Sequence, residues 1–304
     1  MSESEAAPRE AVPVEYPPLP EALTVGVYDN HTHLEPFGNE AKGQLDYREH
    51  LDRASSVGVR GVVQVGGSLE SSRWSADIAA REPRVLAAVA LHPNEAPRHA
   101  ASGGLNGVSL SDALAEIDDL AGRPRVRAVG ETGLDYFRTE DSDGLKAQHE
   151  SFEAHIEIAK KHGLALQIHD RDAHAQVIET LLRVGAPEHT VFHCFSGDAE
   201  MAKLCADNGW YLSFAGTVTF KNAGNLREAL EVIPRGRILV ESDAPYLTPH
   251  PLRGRPNSPY LLPTTLRAMA AHLGTDVTML AAQITSTTEA VYGTWDSEPV
   301  VVAD

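Results

Sequence analysis

The sequence predicts an α/β protein built as one closed (β/α)8 barrel, a TIM barrel. Two observations predict it. Eight β-rich apolar runs alternate with amphipathic helical stretches along a single chain. Six of those eight runs end in His, Glu or Asp, at the strand ends where the loops of such a barrel carry chemistry. The 304 residues, 42% of them apolar, suffice for one core of this size.

Residues 1–22, rich in Pro, Glu and Ala, show no sustained period and read as a flexible tail. The barrel domain is expected over 23–293, followed by a second tail over 294–304. Strand character falls at 25–31, 59–66, 85–91, 126–131, 164–169, 189–194, 210–215 and 237–242. Helical spacing falls between these runs, near 46–57, 70–82, 111–121, 145–163, 173–184, 198–208 and 222–233. The stretch 145–163 shows the period best, with Leu145, Phe152, Ile156 and Ala159 on one side. A Pro/Arg loop at 248–259 precedes helices near 260–272 and 276–292, and the Gly/Asn/Ser-rich segment 101–109 reads as an insertion in the third loop. A doubly wound open sheet is the alternative, since it shares the βα alternation.

Composition removes several functional classes. There is no run of eighteen apolar residues, so no membrane span is expected. The N-terminus lacks the basic-then-apolar order of a signal peptide. Cys194 and Cys205 are the only cysteines, too few for a disulfide scaffold, which points to the cytoplasm. A net charge of −17 argues against a broad nucleic-acid face. Part of that charge is local: removing −4 from residues 1–22 and −3 from 296–304 leaves −10 for the body. Any nucleic-acid contact would then depend on bound cations and a few arginines.

The strand ends supply the candidate site. The first closes in Asp29-Asn30-His31-Thr32-His33, the third in Leu91-His92-Pro93, and the fourth in Gly130-Glu131-Thr132-Gly133 followed by Asp135. The fifth closes in His169-Asp170, the sixth in His193-Cys194 and the eighth in Glu241-Ser242-Asp243. A carboxylate at the end of a buried strand is expensive unless a cation meets it, so Glu131 either bridges metal ions or pairs with an arginine. His31 and His33, two apart on a strand, project to one side at roughly 6.6 Å between Cα atoms and can grip one ion.

Two divalent ions in one dry pocket repel, so an anionic bridge is needed, and Glu131 is centrally placed to supply it. The allocation is His31, His33, Glu131 and Asp243 to one ion, and Glu131, His169 and His193 to the other. Such a pair lowers the pKa of a shared water, and Asp243 is placed to take its proton. Glu241 and Asp170 are candidates to orient ligands. Cys194 is expected to face the helix layer, and His149, His155, His162 and His174 to lie on helix surfaces. His92 reads equally as a substrate contact or a loop histidine. Arg253 and Arg255 read equally as a phosphate clamp or as solvated loop residues.

Five motifs together resemble the TatD family of metal-dependent deoxyribonucleases. They are Asp29-Asn30-His31-Thr32-His33-Leu34, Gly130-Glu131-Thr132-Gly133-Leu134-Asp135-Tyr136, His169-Asp170-Arg171-Asp172-Ala173, His193-Cys194-Phe195-Ser196-Gly197 and Glu241-Ser242-Asp243-Ala244-Pro245-Tyr246-Leu247. They occur in the family's order, and the resemblance runs from about residue 26 to 292. It implies an amidohydrolase-type barrel with a two-metal site, and as ligands His31, His33, Glu131, His169, His193 and Asp243, with Glu131 and Asp243 also catalytic. It further implies Mg²⁺-dependent hydrolysis of DNA, often from 3′ ends, with His92 and Arg253 near the substrate. Two departures stand at Ala90 and Asn94, where the family usually has a glycine and a second histidine.

The expected activity is therefore phosphodiester hydrolysis of single-stranded DNA or 3′ ends by a monomer. No membrane or protein partner is expected. Ligand softness suits Zn²⁺, Mn²⁺ or Ni²⁺ as the ions found on purification, beside Mg²⁺ for activity. The rivals are an amidohydrolase of cyclic amides or lactones, a deacylase of D-aminoacyl-tRNA, and a non-catalytic barrel stabilised by metal.

Overall fold

A computed structural model describes residues 14–36 and 43–295. Eight parallel strands form one sheet in chain order: β1 (Val27–Thr32), β2 (Val59–Val65), β3 (Val85–Val89), β4 (Val126–Asp135), β5 (Ala165–Arg171), β6 (Thr190–Phe192), β7 (Tyr211–Phe214) and β8 (Ile238–Val240). The seam between β8 and β1 is drawn together beyond the end of β8. There the Asp243 N–H donates to the His31 carbonyl at 3.0 Å and the His33 N–H donates to Ala244 at 2.8 Å. The Asn30 amide adds a bond to the Val240 carbonyl at 2.7 Å. The sheet is therefore a nearly closed barrel, and the open-sheet alternative does not hold.

The outer layer is α1 (Tyr47–Ser56), α2 (Leu69–Ala79), α3 (Ala96–Ala100), α4 (Leu110–Ala121), α5 (Ser142–His162), α6 (His174–Val184), α7 (Ala199–Asp207), α8 (Gly224–Val232), α9 (Leu262–His272) and α10 (Val277–Tyr292). Side-chain caps at Asp46, Ser68, Ser109, Asp141, Asp198 and Asp276 each accept a first-turn N–H, which fixes where six of these helices start. Short α3 is not anticipated by the sequence; Pro97 and a single turn leave no period to read. None of these helices is long and apolar enough to cross a membrane.

Besides shifts nearer their starts, β1 and β4 each carry an extra residue just before the ligand-bearing ends. Between Asp29 and Thr32, β1 advances three residues while β2 advances two, and β4 does the same against β5 between Val129 and Thr132. A bulge of this kind re-aims the side chains that follow it. The residues re-aimed include His31 and Glu131.

The barrel interior is packed by Tyr28, Val63, Val65, Leu86, Ala88, Ala128, Ala165, Val191 and Leu239. Its floor is closed by the end of α10 and the residues after it. Trp295 stacks on Tyr28 at 4.1 Å and donates to the Val62 carbonyl at 3.3 Å. The expected C-terminal tail thus begins only after Trp295, and 296–304 lie outside the described residues.

The expected N-terminal tail is corrected in the same way. Residues 1–13 lie outside the described residues, but part of 14–22 is bound to the barrel. Tyr260 donates its hydroxyl to the Pro17 carbonyl at 2.5 Å, and Tyr16 meets the edge of His50 at 5.5 Å. A strap held by carbonyls and one ring has no period, so composition alone reads it as tail.

His155 also departs from expectation: it is buried, not superficial. Its Nδ1–H donates to the Ser151 carbonyl at 2.6 Å, and its Nε2 accepts the Leu91 N–H at 3.1 Å, tying α5 to the end of β3. Burial pushes its pKa down to about 4. Between about pH 6.5 and 4 the unfolded chain takes up a proton here that the folded chain refuses. This residue therefore costs nothing above pH 6.5 and about 3 kcal/mol below pH 4. Urea titrations across that range are expected to show a steeper loss for wild type than for His155→Gln; parallel curves would contradict it.

Candidate metal centre

All six predicted ligands converge at the C-terminal mouth of the barrel. Glu131 is the common point. Its Oε2 lies 3.0 Å from His193 Nε2 and 3.1 Å from His169 Nδ1, while its Oε1 lies 3.7 Å from His33 Nε2. Asp243 Oδ1 lies 3.8 Å from both His31 Nε2 and His33 Nε2, which are themselves 3.3 Å apart. The His31 and His193 rings stack at 3.9 Å.

Each of the four imidazoles is tethered through the nitrogen that faces away from this cluster. His31 Nδ1 meets Gln167 Oε1 at 2.9 Å and His33 Nδ1 meets the Val65 carbonyl at 2.9 Å. His169 Nε2 meets Asp135 Oδ2 at 3.3 Å, and His193 Nδ1 meets Glu241 Oε1 at 3.2 Å. An acceptor behind an imidazole places the proton on the outer nitrogen and leaves the inner lone pair directed at the centre. Neutral imidazoles with aimed lone pairs, beside carboxylates, are the donor set that divalent cations require.

Among the described residues the donors form four overlapping groups, of which His31–His193–Glu241 and His92–Asp135–His169 lack Glu131, two share Glu131, and none includes Asp243. His31, His33 and Glu131 offer ligand atoms within 4.8 Å of one another, and so do Glu131, His169 and His193. The residues present therefore fit a metal centre, and the arginine partner considered for Glu131 is not what the structure shows: its near neighbours are imidazoles.

Electrostatics follow from that packing. Burial pushes the Glu131 carboxyl up, but His92, His193 and His169 outweigh it and hold it well below the usual range. Burial pushes His193 down, yet Glu241 and Glu131 together carry it well above 6.5. Asp243 is pushed up to about 7 by burial, against the pull of His193 and His33. Asp29, just beneath, is likewise raised to about 7 by burial; its Oδ1 accepts the Ser242 and His31 N–H groups while Oδ2 has no partner.

Of the weaker candidates, Glu241 stands behind His193 as expected. Asp170 does not touch a ligand side chain; it pairs with His174 Nδ1 at 2.7 Å. His92 Nδ1 accepts the Asn94 N–H at 3.0 Å, so its Nε2 carries the proton, 3.9 Å from Glu131 Oε2. Asn94 donates to Asp135 Oδ2 at 2.9 Å, helping to steady the carboxylate behind His169. Arg253 lies 4.0 Å over the Phe220 ring, whereas Arg255 is taken by the N-terminal strap, 3.1 Å from the Tyr16 carbonyl. The two arginines thus form no joint clamp.

Strand alternation does not place Cys194, because the strand ends before it. β6 ends at Phe192, Cys194 takes φ 41°, and its N–H donates to Glu241. Its thiol pKa is raised well above the usual value by burial, then by Asp243, Glu241 and Glu131. Gln167 and Asp135 are the residues the sequence did not flag as orienting groups. Their only signal was an inward position on strands that also carry ligands. Gly130 makes room for Gln167: a Cβ there would lie 2.5 Å from Gln167 Cβ.

Comparison with known proteins agrees with this geometry. The family described as TatD related DNase matches residues 28–293. The chain is 44% identical over 269 residues to an uncharacterized metal-dependent hydrolase, TatD, of Mycobacterium tuberculosis, covering 87% of this chain and 97% of that one. It is 32% identical over 254 residues to the 3′-5′ ssDNA/RNA exonuclease TatD of Citrobacter rodentium, covering 82% and 92%. Among solved structures, YJJV, a TatD homologue from Escherichia coli, superposes with a TM-score of 0.78 at 24% identity over 88% of this chain and 98% of its own. The chain belongs to the TatD family of metal-dependent hydrolases.

Proposed function

We propose that this hydrolase cleaves phosphodiester bonds at the 3′ ends of single-stranded DNA, using two divalent ions that share Glu131. The observation that carries the substrate class is the rim around the donor cluster. Phe137 and Tyr246 are the large exposed aromatic side chains among the described residues, 57% and 54% exposed, and both stand in βα loops at the mouth. Arg171 lies 4.0 Å over the Phe137 ring, and Tyr246 meets the edge of His33 at 6.1 Å. Arg253 over Phe220 adds a third such surface. Rings and guanidinium planes give stacking faces for bases, and the arginines give charge for the backbone. The Citrobacter relative, named as a 3′-5′ ssDNA/RNA exonuclease, supports the same substrate class.

His31, His33, Asp243 and Glu131 would hold one ion, and His169, His193 and Glu131 the other. When bound, divalent ions supply Lewis-acid polarisation of a phosphoryl oxygen and a water of lowered pKa. Mg²⁺ suits the activity, while the imidazole-rich set also accepts Zn²⁺, Mn²⁺ or Ni²⁺.

The protein's own groups do the rest. Asp243, 3.8 Å from both His31 Nε2 and His33 Nε2, is placed to accept a proton at its carboxylate from the attacking water. His92, whose Nδ1 accepts the Asn94 N–H, presents Nε2–H to a phosphoryl or leaving oxygen. Arg253 holds a neighbouring phosphate while packed on Phe220.

Glu131→Ala and Asp243→Asn are each expected to lower turnover by at least about 10²-fold, with circular dichroism unchanged. Wild-type-like nuclease rates in either purified variant would overturn the assignment. A panel of labelled single-stranded DNA, RNA, D-aminoacyl-tRNA and a dihydropyrimidine, with added Mg²⁺ or Mn²⁺ and EDTA controls, tests the substrate class. Metal-dependent shortening of DNA from its 3′ end is the expected result. Turnover of the aminoacyl ester or cyclic amide with DNA untouched would move the protein to one of the rival chemistries.

A further inference from the structure

The hydrogen bond behind His31 belongs to a buried network that reaches the last helix of the chain. Gln167 sits two residues before His169 on β5, on the same face of the strand. Its Nε2 donates to the Asn30 carbonyl at 2.7 Å and to the Tyr292 hydroxyl at 2.8 Å. Tyr292 donates in turn to Asn30 Oδ1 at 3.1 Å. Asn30 Nδ2 donates to Ser213 Oγ and to the Val240 carbonyl, both at 2.7 Å. All four side chains are buried, and none of their polar atoms is left without a partner.

This closed set of partners decides which way the Gln167 amide points. Both N–H groups are committed to acceptors, so only Oε1 can face His31, and it can only accept. Turning the amide over would set an N–H against the imidazole and bring Oε1 against the buried Asn30 carbonyl, two acceptors facing each other with no proton between them. β4 leaves no slack either: a Cβ at Gly130 would also come within 2.8 Å of the Gln167 carbonyl oxygen. The outer partners of His169 and His193 are carboxylates, which hold a proton between them by charge. Gln167 is neutral, so its orientation alone does that work for His31.

We propose that Gln167, held by Tyr292 at the end of α10, is a positioning residue that locks His31 as its Nδ1–H tautomer and thereby makes metal affinity depend on the C-terminal helix. The inference rests on His31 being a ligand. It gives the closing helix a part in the chemistry at the opposite end of the barrel, transmitted by four hydrogen-bonded side chains and no moving element.

The test uses the full chain stripped with EDTA and titrated with Mn²⁺ by calorimetry. Histidine ¹⁵N spectra of the same samples report the His31 tautomer. Gln167→Met is expected to weaken Mn²⁺ binding by roughly 10–100-fold. Tyr292→Phe, which removes one hydroxyl, should weaken it several-fold and give His31 a mixture of tautomers. Gln167→Glu keeps an acceptor for His31 but sets a carboxylate oxygen against the Asn30 carbonyl, so it should retain the Nδ1–H tautomer while binding Mn²⁺ more weakly than wild type and more tightly than Gln167→Met. Val291→Ala, a buried neighbour on α10 outside the network, controls for general loosening and should bind Mn²⁺ as wild type does. Should Gln167→Met fail to fold, Tyr292→Phe and Gln167→Glu decide the matter. Wild-type affinity and a single Nδ1–H tautomer in Tyr292→Phe would overturn the proposal, as would an equal loss in Val291→Ala. A wild-type protein that takes up no Mn²⁺ would instead refute the ligand assignment itself.

Discussion

One constraint organises this molecule: a buried carboxylate, Glu131, must be met by groups that can share it with cations. Burying a lone anion is prohibitive, and a guanidinium would be the simplest remedy. The chain does not use it. Its fully buried arginine, Arg125, spends its guanidinium on the carbonyls of Ala79, Pro83 and Val85. Glu131 is surrounded instead by four imidazoles, His33, His92, His169 and His193, each of which approaches within 4 Å. Imidazoles serve two states. Protonated, they compensate the carboxylate; deprotonated, they offer lone pairs to a metal.

The barrel makes that convergence inexpensive. Parallel strands in chain order deliver their ends to one rim, so residues more than 200 positions apart meet without any long excursion of the backbone. The bulges in β1 and β4 turn His31 and Glu131 into the mouth. Helices and the plug formed by Tyr292 and Trp295 close the other end, so the polar contacts beneath the site are buried and correspondingly stronger.

Much of this is legible in the sequence because it depends on period and position. Alternating βα units announce the barrel, and six strand ends bearing His, Glu or Asp announce the site. What escapes has a local or non-periodic cause. A bulge is one extra residue; nothing in composition marks the one at Asn30, and at Gly130 the glycine is its only sign. Gln167 reads as one polar residue inside an apolar strand, and its meaning depends on Tyr292, 125 residues away. Residues 14–22 attach through carbonyls and a single ring, features that Pro-rich sequence hides. Strand alternation does not place Cys194 because β6 has already ended. His155 looks like a surface histidine because helical spacing does not show that the end of β3 donates an N–H to it.

The central claim is that Glu131 lies between two cations. Anomalous diffraction from crystals grown with Mn²⁺ tests it most directly. Two peaks are expected, one beside His31, His33 and Asp243 and the other beside His169 and His193, with the Glu131 carboxylate shared between them. A map with no anomalous density at the mouth, and Glu131 still bonded only to His169 and His193, would contradict the account.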